Sequence, residues 1–105
     1  MKTCYELFGI EVEDGWKQLY QPIIDYIKEY NKSTNNPIEI NQIKEKYGGI
    51  RIYLSYYTPE LDKMIDEAEE KSFNICECCG KHIDNQIIKN YWIYPLCEDC
   101  YENRF

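Results

Sequence analysis

Residues 76 to 100 read CECCGKHIDNQIIKNYWIYPLCEDC, and the grouping of the sulfurs in this stretch decides the fold of the C-terminal third. Cys76 and Cys79 form one C-x2-C unit, Cys97 and Cys100 a second, and seventeen residues lie between them. That interval falls in the window of roughly 15 to 20 residues that marks a zinc site. Two residues between the thiols let the chain turn so that both sulfurs reach one ion at about 2.3 Å, and two such turns complete a tetrahedron. Gly80, directly after Cys79, relieves the tight turn. The spacing therefore points to one structural Zn2+ held by Cys76, Cys79, Cys97 and Cys100. A thioredoxin-like redox pair is the rival for either unit, but the second matched pair and the lack of a surrounding βαβ pattern weigh against it.

Pairing Cys78 with Cys76 or Cys79 would leave a spacing too short for the usual knuckle, so Cys78 is read as spare and Cys4 as a small, partly buried hydrophobe. His82, three positions beyond Cys79, reads as a surface or hairpin residue. Four sulfurs fill the shell, and catalytic zinc needs an open position, so no enzyme is expected.

Between the two pairs, short strands are expected near 82–88 and 91–95 with Asn90 in the turn. Cys97 and Cys100 then open a short helix through Arg104. Knuckle, hairpin and helix suggest a treble-clef or zinc-ribbon-like minidomain over 74–105, packed on an α+β body over 1–73. Some thirty residues bury too little apolar surface to fold alone, so metal bonds should supply much of the folding energy. Tyr91, Trp92 and Tyr94 are expected to cover the site. Left exposed, they would instead mark an interface.

Upstream, the body reads as two helices and a β-hairpin. Phe8, Ile10 and Val12 alternate with polar residues, suggesting a short strand over 5–13, and Asp14 can cap a helix. From Trp16 the positions Leu19, Tyr20, Ile23, Ile24, Ile27 and Tyr30 recur at helical steps. Pro22 predicts a kink or restart near Gln21. Ile50, Ile52, Leu54 and Tyr56 alternate as a strand over 50–57, and Gly48 with Gly49 offers a two-residue turn pairing it with 38–47. Helical spacing of Ile40, Ile43 and Tyr47 keeps a helix open for 38–47. Thr58 and Pro59 start a second helix with Leu61, Met64, Ile65 and Ala68 buried.

The 105-residue chain carries twelve basic and nineteen acidic side chains, for a formal charge of −7. Four thiolates on one zinc would make it roughly −9. Phosphate backbones are held by clustered Lys and Arg, so no direct nucleic acid is expected and a basic protein surface is the favoured partner. The competing reading, a nucleic-acid-binding zinc ribbon serving transcription or replication, rests on Lys44, Lys46 and Arg51 interleaved with Tyr47 and Tyr53. No 18-residue apolar run and no signal-peptide pattern occur, so a cytoplasmic location is expected.

DGW at 14–16, IKEKYGGIRIY at 43–53, IDEAEEKS at 65–72, CECCGKH at 76–82 and LCEDC at 96–100 together resemble a family of small phage and prophage proteins with a C-terminal four-cysteine zinc site. The chain is also similar in kind to zinc-containing anti-CRISPR inhibitors of type II RNA-guided nucleases. That resemblance implies a host CRISPR effector nuclease as partner and a block on target DNA loading. The acidic helix over 58–72 and the hairpin tyrosines are the expected contact surface.

Overall fold

The computed structural model describes residues 10–104. A 3-10 turn, Asp14–Trp16, leads into helix α1, Lys17–Asn31. Strands β1, Ile40–Lys46, and β2, Gly49–Leu54, form an antiparallel pair, and helix α2 follows over Pro59–Ser72. A second antiparallel pair, β3 over Ile87–Lys89 and β4 over Trp92–Tyr94, precedes helix α3, Glu98–Arg104. The class is α+β. The described residues hold three α-helices where the outline of the body counted two, because the short helix of the tail is the third.

Helix α1 buries Leu19, Tyr20, Ile23, Ile24 and Ile27 along one stripe. It runs through Pro22 as one element, with no restart. Proline removes one intrahelical bond, at a cost of about 3 kcal/mol in a helix interior. Its ring lies on the exposed side, and each large side chain buried on the opposite stripe contributes about 1.5–3 kcal/mol, so the stripe holds both halves on one axis. Asp14 is not the cap. Glu13 occupies that position, without a side-chain cap bond, and Asp14 sits exposed in the first turn. At the far end Asn31 clamps the loop by donating to the Ile38 carbonyl and accepting the Ile38 amide at 2.8 Å.

Residues 40–46 are a strand, which closes the helical alternative. The turn lies one residue earlier than the glycine pair suggests. Lys46 pairs with Gly49, so the turn residues are Tyr47, at φ 54°, and Gly48, at φ 85°. Two residues at positive φ match the right-handed twist of the flanking strands, and Gly48 supplies the second at no steric cost. Gly49 serves a different purpose: a Cβ there would lie 2.9 Å from the Phe73 ring. Strand pairing would expose the Ile50 amide inside the protein, but Ser72 Oγ accepts it at 3.0 Å while donating to the Glu69 carbonyl at 2.6 Å.

Thr58 Oγ1 accepts the Leu61 amide at 3.1 Å with Pro59 at the first helical position, as the Thr-Pro pair predicts. Leu61 and Ala68 are buried, Met64 and Ile65 half-buried. The main core joins these to Trp16 and the α1 stripe and to Ile38, Ile43, Ile50, Ile52 and Leu54 of the hairpin. Of the expected strand over 5–13, residues 5–9 and Cys4 lie outside the described residues. The described part is a single parallel bridge from Ile10 to Ile43, with the Glu11 amide donating to the Ile43 carbonyl at 2.7 Å.

Candidate metal centre

A separate, smaller group of buried side chains sits in the tail: Cys76, Ile83, Leu96 and Cys97, with Cys78, Tyr94, Cys100 and Tyr101 half-covered against it. Ile75 and His82 form an antiparallel bridge, the Cys76 amide donates to the Lys81 carbonyl at 2.9 Å, and the Gly80 amide returns to the Cys76 carbonyl at 2.9 Å. These bonds fold residues 76–80 into a knuckle. Gly80, at φ 83°, takes the left-handed position that the turn requires. The second pair is set by α3. Cys97 immediately precedes it and receives the Tyr101 amide on its carbonyl at 3.0 Å, while Cys100 occupies the first turn.

Knuckle and helix bring Cys76, Cys79, Cys97 and Cys100 together, with the four sulfurs within 4.8 Å of one another. This group could hold a metal ion. A tetrahedron with metal–sulfur bonds of about 2.3 Å has edges of about 3.8 Å, and Cys79 Sγ lies 3.8 Å from Cys97 Sγ. Although burial opposes ionisation of Cys76, backbone amides of Cys79, Cys97 and Cys78 point at its sulfur and bring the thiol down to about 7. The Cys100 thiol is pushed up, chiefly by its hydrogen bond with Cys97 and then by burial. One thiolate is thus prepared, and several at such short range need a cation among them.

Cys78 lies beside this group but outside it, and His82 turns away, its Nε2 3.0 Å from Asp84 Oδ1. Of the three aromatic residues expected to cover the sulfurs, only Tyr94 does so, meeting Tyr101 edge-on with ring centres 5.2 Å apart. Tyr91 is fully exposed and Trp92 is 63% exposed. The strands explain this correction. They are shorter than the expected 82–88 and 91–95, and the turn residues Asn90 and Tyr91, both at positive φ, carry the Tyr91 ring away from the sulfurs.

The knuckle rests on the N-terminal turn through contacts that spacing did not reveal. A Cβ on Gly15 would lie 2.2 Å from the Cys76 carbonyl oxygen and 2.4 Å from that of Glu77, so only glycine fits. The buried Trp16 indole N–H donates to the Ile75 carbonyl at 2.8 Å, and Gln18 Nε2 donates to Gly80 O at 3.2 Å. Glu77, between Cys76 and Cys78, accepts the Glu13 amide at 3.2 Å, and Arg104 reaches Glu13 with both bonds on one nitrogen, at 2.5 and 2.6 Å. Burial raises the Glu77 carboxyl above its ordinary value, the Glu13 amide opposes the rise, and the Glu13 and Glu45 charges add to it. The DGW triplet was the one available signal, visible as a short motif without a reason.

The chain matches no family model, no curated protein and no solved structure. Among the described residues no helix is long and apolar enough to cross a membrane.

Proposed function

We propose that this chain is a zinc-stabilised protein-binding module with a treble-clef-like tail, docking through an acidic surface onto a basic protein. The observation that carries the metal reading is the close group of Cys76, Cys79, Cys97 and Cys100 at the junction of knuckle and helix. Four thiolate donors without a fifth protein ligand suit a closed structural zinc site. Zinc here supplies cross-linking, and the residues of the chain supply the rest: amides aimed at sulfur, a glycine at the knuckle and a first helical turn that presents Cys100.

The docking reading is supported by the outer face of α2, where Glu60, Asp62, Asp66, Glu67 and Glu70 are exposed. Glu69 belongs less to this face, because it turns to Arg51 at 3.7 Å. The narrower form, suggested by likeness in kind to anti-CRISPR proteins, names a type II RNA-guided nuclease whose basic DNA channel α2 would occupy.

Metal content of reduced, purified protein tests the first part, with one zinc per chain expected and none overturning it. The second is tested by target DNA capture on a guide-loaded type II nuclease. The zinc-loaded chain should block capture, less so at higher salt, and Glu67→Lys with Glu70→Lys should relieve the block. Unimpeded capture sinks the nuclease reading and leaves the zinc reading standing.

A further inference from the structure

The tip of the first hairpin meets the second hairpin. Gln86 Nε2 donates to the Gly48 carbonyl, and a Cβ on Gly48 would lie 2.7 Å from Ile93, so the turn of β1–β2 is seated against β3–β4. Between them lies a cleft of about 400 Å³ lined by Glu45, Lys46, Tyr47, Tyr91, Trp92 and Ile93. Tyr47 is 72% exposed here, alongside the exposed Tyr91 and Trp92.

Charge at these tips runs against that of the whole chain. Lys46 Nζ stands 5.6 Å from the centre of the Tyr47 ring, and Lys44 Nζ 5.8 Å from that of Tyr53. Lys89 is exposed and directly opposite Trp92 in the β3–β4 register, so the two side chains leave the same face. The one carboxylate in the cleft, Glu45, is engaged by the Gly48 amide at 2.7 Å. Arg51 drops out of the basic cluster foreseen from sequence, since it pairs with Glu69, and the second hairpin replaces it. The turns are also unusual. Tyr47 at φ 54° and Tyr91 at φ 66° hold bulky side chains where Asn or Gly is the favoured choice, and both rings are exposed.

Exposed rings interleaved with lysines are the chemistry that holds single-stranded nucleic acid, whose bases stack on aromatic faces while phosphates meet cations. We propose that the joined hairpin tips form a site for a short single strand, with Trp92 and Tyr91 as stacking platforms and Lys46, Lys89 and Lys44 as phosphate contacts. A basic protein is the less favoured occupant because these lysines would repel it. The acidic remainder of the chain confines the strand to this end and keeps the affinity low. This site is distinct from the acidic face of α2 and goes beyond the docking reading.

Trp92 is the reporter, since the other tryptophan, Trp16, is buried. Zinc-loaded protein is titrated at low salt with a dT12 and a U12 oligonucleotide, an arginine-rich peptide and a glutamate-rich peptide. Both oligonucleotides should quench Trp92. If only one does, the occupant is DNA or RNA accordingly, and the site stands. The logarithm of the binding constant should fall against the logarithm of salt with a slope of about −2 for three lysines. By anisotropy of labelled dT12, Trp92→Ala should weaken binding roughly 5- to 100-fold, and Lys46→Glu with Lys89→Glu should abolish it, whereas Lys63→Glu on α2 should have little effect. No response to either oligonucleotide overturns the proposal, and so does binding that survives Trp92→Ala. Quenching by the arginine-rich peptide alone assigns the cleft to a basic protein, and equal binding of the glutamate-rich peptide reduces it to charge attraction without stacking. Either result also overturns it.

Discussion

The body, residues 10–73, and the tail, residues 74–104, are held together by different means. The body encloses a continuous core from two helices and a hairpin, with Trp16, Ile23, Ile27, Ile43, Ile50 and Leu61 essentially without solvent contact. The tail buries Ile83, Pro95 and Leu96 and two cysteines. The tail therefore buries far less apolar surface per residue than the body, and units of some thirty residues usually need a metal, a disulfide or a neighbour to stay folded. Hydrophobic burial dominates in the body, whereas in the tail four sulfurs stand where they could hold a metal ion.

The sharpest way to break this contrast is to remove a sulfur. Cys97→Ser in the zinc-loaded protein should abolish stoichiometric metal binding and the amide protection of residues 75–96, while the β1–β2 amides stay protected. Structural zinc in small peptides contributes about 10–16 kcal/mol, so the loss should be near complete in the tail. Hydrogen exchange reads both regions at once, and a tail that keeps its protection would refute the contrast.

Gly15→Ala acts on the junction. Its Cβ would meet the carbonyl oxygens of Cys76 and Glu77, backbone atoms that cannot swing aside, so a destabilisation of roughly 3 kcal/mol is expected together with weaker zinc affinity. Denaturant unfolding and metal competition measure the two effects. If affinity for zinc is unchanged, body and tail are less coupled than the contact implies.

Ser72→Ala probes the body alone. The Ile50 amide loses its acceptor in a buried setting, which should cost roughly 1–3 kcal/mol and leave zinc affinity intact. A parallel fall in zinc affinity would contradict the separation drawn above.

The smallest effect concerns Glu77. Its carboxyl is raised in the folded protein, so its contribution to stability is fully present below the unfolded value of about 4.3 and is lost as pH rises through the folded value. Above the folded value the buried charge weighs against the fold. Glu77→Gln retains an oxygen for the Glu13 amide and should raise the melting temperature by a few degrees at pH 7, the gain shrinking as pH falls. A gain independent of pH, or a loss at pH 7, would show that the charge is not the cause.

Much of this architecture was legible in the sequence. Periodicity gave α1, β2 and α2, and Thr58 with Pro59 marked a start that the capping bond explains. The four-cysteine group was legible because two C-x2-C units at this interval match the spacing of a metal-ligand set. What escaped was decided by tertiary contact. Gly49 is a strand residue whose missing Cβ makes room for the Phe73 ring, and a ring 24 positions away leaves no local signal. Pro22 forecast a restart because local rules count the missing amide and not the stripe that compensates it. Spacing and periodicity gave Gly15, Ser72 and Glu77 no structural role. Tyr91 and Trp92 were assigned to the sulfurs because composition cannot say which way a three-residue strand faces.

The N-terminal turn receives its partners very late in the chain. Trp16 reaches a carbonyl 59 positions downstream, and Glu13 an arginine 91 positions downstream. During translation α1, the first hairpin and α2 can assemble from neighbouring segments, but this turn stays open until residues 75 to 104 have left the ribosome. A product truncated before residue 75 would leave the Trp16 N–H without its acceptor and the surface over Gly15 uncovered. The segment that carries the four cysteines thus also closes the surface over Trp16 and Gly15.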